Sequence, residues 1–137
     1  MSTVSTTRII IAIVVVFILS VAFGTLIHAF LLKADYEQVA HLYRTAADTK
    51  FFVIFAGYLA FAIGSVWLYS KGVEDKPWLG QGLRFGFAIW LVVSVTSFFI
   101  EYATQPIPAA LVFKQLGYEL INKLILGAVT AAIVRKS

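Results

Sequence analysis

The chain contains no cysteine. Disulfide exchange, thiolate nucleophiles and cysteine-ligated iron–sulfur clusters are therefore outside its chemistry. Charge is the next scarcity: 13% of the 137 residues are Asp, Glu, Lys or Arg, where soluble domains carry roughly 25%. There are two histidines and three prolines. The three glycines Gly80, Gly82 and Gly86 do not have the G-x-G-x-x-G spacing of a dinucleotide site, and no strand-like run precedes them. The C-terminal residues Val134-Arg135-Lys136-Ser137 form no lipidation motif. No serine near His28 has the surroundings of a catalytic nucleophile, and no His-Glu-x-x-His occurs.

What is abundant is apolar surface. Hydrophobic residues make up 61% of the chain, and they are gathered into four blocks instead of being spread over core positions. The expected fold is all-α: a single-domain integral membrane bundle of four transmembrane helices over about 9–32, 51–70, 81–103 and 111–134. Arg8 precedes the first block as in a signal peptide, but the apolar run is longer than an h-region and lacks a clear cleavage motif, so a retained helix is expected. Residues 33–49 are too polar to span. Asp35 and Gln38 resemble a capping box, and Tyr36, Val39, Ala40 and Tyr43 recur at helical spacing. A short amphipathic helix lying on the membrane surface is expected there, with Asp48 capping the next span. Small residues mark candidate helix-packing faces: Ser20 with Gly24 in the first span, Ala56, Ala60 and Gly64 in the second, Gly82 and Gly86 in the third. Trp67 and Tyr69 suit an interfacial belt, and Pro106 and Pro108 break the chain before the last span.

Basic residues set the expected orientation. Arg8, Lys71, Lys76, Arg84, Arg135 and Lys136 fall at one end of the bundle, whereas Lys33, Arg44, Lys50 and Lys114 fall at the other. The richer end is expected to be cytoplasmic, with both termini there. The net charge of +4 sits at helix ends, an arrangement suited to lipid headgroups and not to nucleic acid.

The last span breaks the apolar rule. Gln115, Glu119, Asn122 and Lys123 lie on one helical stripe, with Tyr118 beside it. Ionised groups near the bilayer centre cost at least ~2.5–3.5 kcal/mol each on insertion scales, so they must face protein or water. By residue counting, His28, Tyr58, Glu101, Tyr102, Tyr118, Glu119, Asn122 and Lys123 fall at similar depth in the outer half of the bundle and form the candidate ligand pocket. Glu119 and Lys123, at i and i+4 in the favourable order, also have a purely structural meaning: each neutralises the other. His28 in turn could simply bond a backbone carbonyl. If His28, Glu101 and Glu119 converge, one imidazole and two carboxylates could hold a divalent metal, relay protons or fix a polar head. Bis-histidine haem ligation is disfavoured, because the second histidine, His41, lies in the surface segment.

The words Gly24-Thr25-Leu26-Ile27-His28, Leu42-Tyr43-Arg44, residues 80–86 (GQGLRFG) and residues 102–106 (YATQP) resemble those of a group of small uncharacterised bacterial four-helix membrane proteins. The resemblance implies a bacterial inner-membrane setting and carries no activity, cofactor or catalytic residue. Three function classes remain: binding or transport of a polar or amphipathic small ligand, an accessory or structural subunit of a larger membrane complex, and a membrane enzyme using His28 and the glutamates; the expected partners are the lipid bilayer and either further copies of the chain or a larger membrane complex. The first is favoured over the second, and the enzyme reading is the weakest.

Overall fold

A computed structural model describes residues 4–136, of which the secondary structure is helical and contains no strand. Four helices are long and apolar enough to cross a membrane: α1 (Thr6–Leu31), α3 (Phe51–Gly72), α4 (Trp78–Thr104) and α5 (Ala109–Ile133). They contain 26, 22, 27 and 25 residues; at about 1.5 Å per residue each exceeds a ~30 Å hydrocarbon layer. The helices start where proline allows. Pro77 caps α4 and Pro108 caps α5, each with an extended ψ that the ring tolerates.

The four helices run alternately up and down. One apolar cluster joins Ala12 and Val16 of α1, Ala62 and Val66 of α3, and Leu126 and Ala131 of α5, near the end where α1 starts and α5 stops. A second joins Ile27, Leu32, Val39, Ile107, Leu111 and Leu116 at the opposite end. α5 is central, flanked by α1 and α4, and α3 packs on α1; α3 and α4 touch only sparsely. Burial is inverted relative to a water-soluble domain. Phe52, Phe113 and Val92 are among the most exposed side chains, while Gln115, Glu119, Asn122 and Lys123 are inside. That distribution would be favourable in lipid, where apolar side chains lose nothing outside and ionised ones must be shielded.

The closest helix approach is between α4 and α5. A Cβ added to Gly82 would lie 2.6 Å from the Gly127 carbonyl oxygen and 2.7 Å from Ala131 Cβ, and one added to Gly86 would run into the Lys123 carbonyl. Gly82 and Gly86 thus have the packing role expected from their spacing, and Gly127 supplies the opposite face. Gly24 is also buried, against the Tyr58 hydroxyl, which occupies the space a side chain would need. The expected stripe on α3 is different. Ala60 is exposed, and a Cβ on Gly64 would meet nothing within 4 Å. α3 packs through Ala62, Ser65, Val66 and Tyr69 instead, and positions 60 and 62 are about 200° apart on the helical wheel. Ala56, Ala60 and Gly64 therefore face outward.

The segment after α1 also departs from expectation. It is not one surface helix but a short α2 (Lys33–Gln38) followed by two 3-10 turns, Ala40–Leu42 and Ala46–Asp48. Leu32 and Val39 are buried against the start of α5, so the segment closes over the end of the bundle. Asp35 is not a cap. Leu32 occupies that position without a side-chain bond, and Asp35 pairs with Lys114 at 2.9 Å, tying the segment to α5. Asp48 is likewise held by Arg44 at 2.9 Å, and Lys50 stands at the N-cap of α3.

Candidate functional site

The polar stripe of α5 points into the bundle: Gln115 is 1% exposed, Glu119 and Asn122 6% and Lys123 9%. Tight α4–α5 packing at Gly86 and Gly127 leaves Lys123 no route past α4, and its ammonium lies 5.2 Å from the centroid of the Phe61 ring on α3. Lys123 Nζ donates to Glu119 Oε2 at 2.7 Å, and Asn122 Nδ2 donates to the same oxygen at 3.2 Å. The other oxygen, Oε1, faces His28 Nε2 at 3.3 Å.

His28 sits in a π-helical turn, Thr25–Leu31, that ends α1; such widened turns are frequent at functional sites. Its second nitrogen completes a hydrogen-bonded string. Gln115 Nε2 donates to the Tyr36 hydroxyl oxygen at 2.9 Å, and that hydroxyl donates to His28 Nδ1 at 2.7 Å. Burial pushes the Tyr36 phenol up to about 12, so it remains a proton donor at neutral pH. With Nδ1 accepting, the imidazole proton belongs on Nε2, where it faces Glu119. The string therefore runs Gln115, Tyr36, His28, Glu119, Lys123, from the closing segment to the middle of the bundle. The string can also reverse. Gln115 Oε1 has no partner, and turning the amide would let Tyr36 donate there while a doubly protonated His28 donates to Tyr36.

Of the eight pocket candidates, His28, Tyr58, Glu119, Asn122 and Lys123 come together. Glu101 does not join them: it accepts from the Tyr43 hydroxyl at 2.7 Å near the end of α4, and burial raises the Tyr43 phenol pKa, with Glu101 adding to the shift. Tyr102 is 50% exposed on the outer surface. Tyr118 packs against the apolar cluster at the closing end. Among the described residues no group of three or more His, Asp or Glu side chains is placed to hold a metal ion, so the His28, Glu101, Glu119 triad is not assembled. Sequence reasoning passed over Tyr36 as a partner of His28, although the pair is only eight residues apart.

Beside this string lies a cavity of about 270 Å³. It is lined by the polar residues Ser20, Tyr58, Glu119, Asn122 and Lys123 and by Ile54, Gly57, Phe61 and Val93. Ser20, Phe61, Val93 and Asn122 each fall within about one turn of their helix mid-points. α5 begins directly after Pro108, and Glu119 lies ten residues inside it. No family model, curated protein or solved structure matches the chain.

Proposed function

We propose that this chain is a multi-pass membrane protein that binds or transports a small polar or amphipathic ligand at the mid-span cavity. One observation carries the reading: Glu119, Asn122 and Lys123 line an open space of about 270 Å³ and are not sealed against apolar side chains. A pair that served only to neutralise itself would be more stable in a closed core, since an open cavity forfeits packing contacts. The apolar part of the lining, with Phe61 and Val93, suits the non-polar part of such a ligand.

The setting we propose is the bacterial inner membrane, with both termini cytoplasmic. Arg8, Lys71, Lys76, Arg84, Arg135 and Lys136 support it, because basic residues are enriched on the cytoplasmic side. A reporter fused after Ser137 is expected to register as cytoplasmic and one inserted within residues 105–109 as external; the reverse pattern removes this topology.

The binding reading is tested by purification in mild detergent and mass analysis of retained small molecules. Wild-type protein is expected to carry one class of ligand at near-stoichiometric amount. The paired variant Glu119→Gln with Lys123→Met is expected to fold and to lose at least about nine-tenths of it, consistent with losing contacts worth roughly 1.4 kcal/mol or more. Equal retention by a folded paired variant would reduce the stripe to packing.

A further inference from the structure

At the end of the bundle where α1 starts and α5 stops, a second cavity lies between the close of α3 and the first turns of α4. It measures about 180 Å³ and is lined by Leu68, Tyr69 and Phe85 and by the polar residues Glu74, Gln81 and Arg84. None of these lines the mid-span cavity. Its rim is fastened by Gln81. The Gln81 Oε1 accepts from the Glu74 N–H at 2.9 Å, and Nε2 donates to the Glu74 and Lys76 carbonyls, each at 2.9 Å. The turn between the two helices is thereby held to α4.

Arg84 is the cation of this lining. It stands six residues into α4, about 9 Å along the helix at ~1.5 Å per residue. Its guanidinium does not stay at that depth. It lies back over Gly80, where an added Cβ would be 3.2 Å from Nη1. The bare backbone of Gly80 thus gives the side chain a path toward the level of the lipid headgroups. Three other cations of this end are engaged. Lys76 pairs with Glu74, Lys71 stands 5.6 Å from the centroid of the Trp67 ring, and Arg135 stands 5.0 Å from that of Trp78. Among the described residues Arg84 pairs with no acid. Glu74, the acid of the lining, is taken by Lys76, which holds its carboxyl below the ordinary carboxylate range.

The lining therefore carries one charge without a partner, and it is positive. A guanidinium is matched best by a planar pair of anionic oxygens, and at the headgroup level of a bilayer the phosphodiester supplies them. A zwitterionic head would also bring an ammonium beside Arg84 and Lys76, whereas a head of net negative charge brings none. At about 180 Å³ the cavity is well below the usual ~300–1,000 Å³ of sites that enclose a whole ligand. It suits a headgroup with its acyl chains outside, where Leu68 is 51% exposed.

We propose that this cavity is a phospholipid site in which Arg84 binds the phosphodiester of an anionic lipid. The inference rests on the membrane setting proposed above and is independent of the mid-span ligand.

Dioleoyl phosphatidylglycerol and dioleoyl phosphatidylcholine, titrated separately into the full chain in a mild detergent and counted by native mass spectrometry, test it. Wild type is expected to hold one phosphatidylglycerol about tenfold more tightly than phosphatidylcholine, a difference of roughly 1.4 kcal/mol. Arg84→Gln should weaken phosphatidylglycerol binding about tenfold or more, as for a lost charge-assisted pair. Lys71→Gln removes the same charge at the same end but outside the lining. It should weaken binding no more than about twofold, as for a screened surface charge. Excess inorganic phosphate should leave the lipid in place. Equal binding of the two lipids by wild type, or equal losses in the two variants, overturns the site and leaves a diffuse basic surface. Displacement of the lipid by inorganic phosphate overturns the lipid assignment in favour of a soluble anion. Either failure leaves the ligand-binding function at mid-span standing, because no residue is shared between the two cavities.

Discussion

Replacing Glu119 alone with Gln is expected to destabilise the bundle by about 3–5 kcal/mol, the usual result of leaving one member of a buried ion pair uncompensated. Among the described residues Lys123 pairs with no other acid. Its remaining neighbours are Asn122 and the Phe61 ring, and a ring face cannot replace a carboxylate at 2.7 Å. His28 loses its Nε2 acceptor in the same substitution. The paired variant, Glu119→Gln with Lys123→Met, should recover most of that loss, because both charges leave together and Gln still offers an oxygen to Asn122 Nδ2. Thermal unfolding in one detergent, read for both variants and wild type, decides the point. A single variant as stable as wild type would mean that water or lipid headgroups reach Lys123, and that the site is not the shielded one described here. Lys123→Met alone gives the complementary measurement: Glu119 then keeps only His28 Nε2 and Asn122 Nδ2 as polar neighbours, so this variant should unfold at a lower temperature than the paired one.

The helices were legible because their signal is coarse. Four apolar blocks separated by charge and proline need only length to be recognised, and the spans shifted by no more than three residues at any end. Gly82 and Gly86 were legible for a different reason: a four-residue spacing of the smallest side chain on an apolar helix suits close backbone approach. The same argument failed at Ala56, Ala60 and Gly64, because spacing shows that a stripe exists without showing what it faces. The side of α3 turned inward is fixed by Tyr58, whose ring reaches Gly24 across the interface with α1, and no local pattern in α3 announces that pairing. Within the site, the Glu119–Lys123 pair could be read from an i, i+4 relation. The Tyr36–His28 bond could not. It depends on a π-helical end to α1 and on the turn at Leu32 that leads into α2, features set by tertiary packing. Glu101, Tyr102 and Tyr118 were grouped with the pocket by depth alone, and depth leaves the direction around each helix undetermined.

Gly86→Leu is expected to have the second large effect, because it acts on the contact that holds α4 to the rest of the bundle. The Lys123 carbonyl and the Leu124 Cα occupy the space of a Cβ at position 86, the latter at 3.0 Å. These are helix backbone atoms and cannot rotate aside. Accommodating a leucine means moving α4 away from α5 by a substantial part of a side-chain width. Overpacking in ordinary cores costs about 1–3 kcal/mol and occasionally more; with backbone on both sides of the contact, the upper part of that range is expected. The displacement should also be felt in the site. Gly86 lies against residues 123 and 124, and Trp90, one turn on, donates from its indole N–H to the Leu116 carbonyl at 3.0 Å. Separating the helices breaks that bond and opens the side of Lys123 that α4 now covers. Gly64→Leu is the matched comparison: the same substitution in a helix of similar length, where an added Cβ meets nothing. It should change stability by no more than about 0.5 kcal/mol, as outward-facing substitutions usually do. Thermal unfolding and size-exclusion profiles of the two variants in the same detergent separate the cases. If both variants match wild type, α4 and α5 do not approach at Gly86, and the shielding of Lys123 by α4 fails with it. If Gly64→Leu is the more damaging, the outward stripe on α3 is covered by another chain in the native assembly.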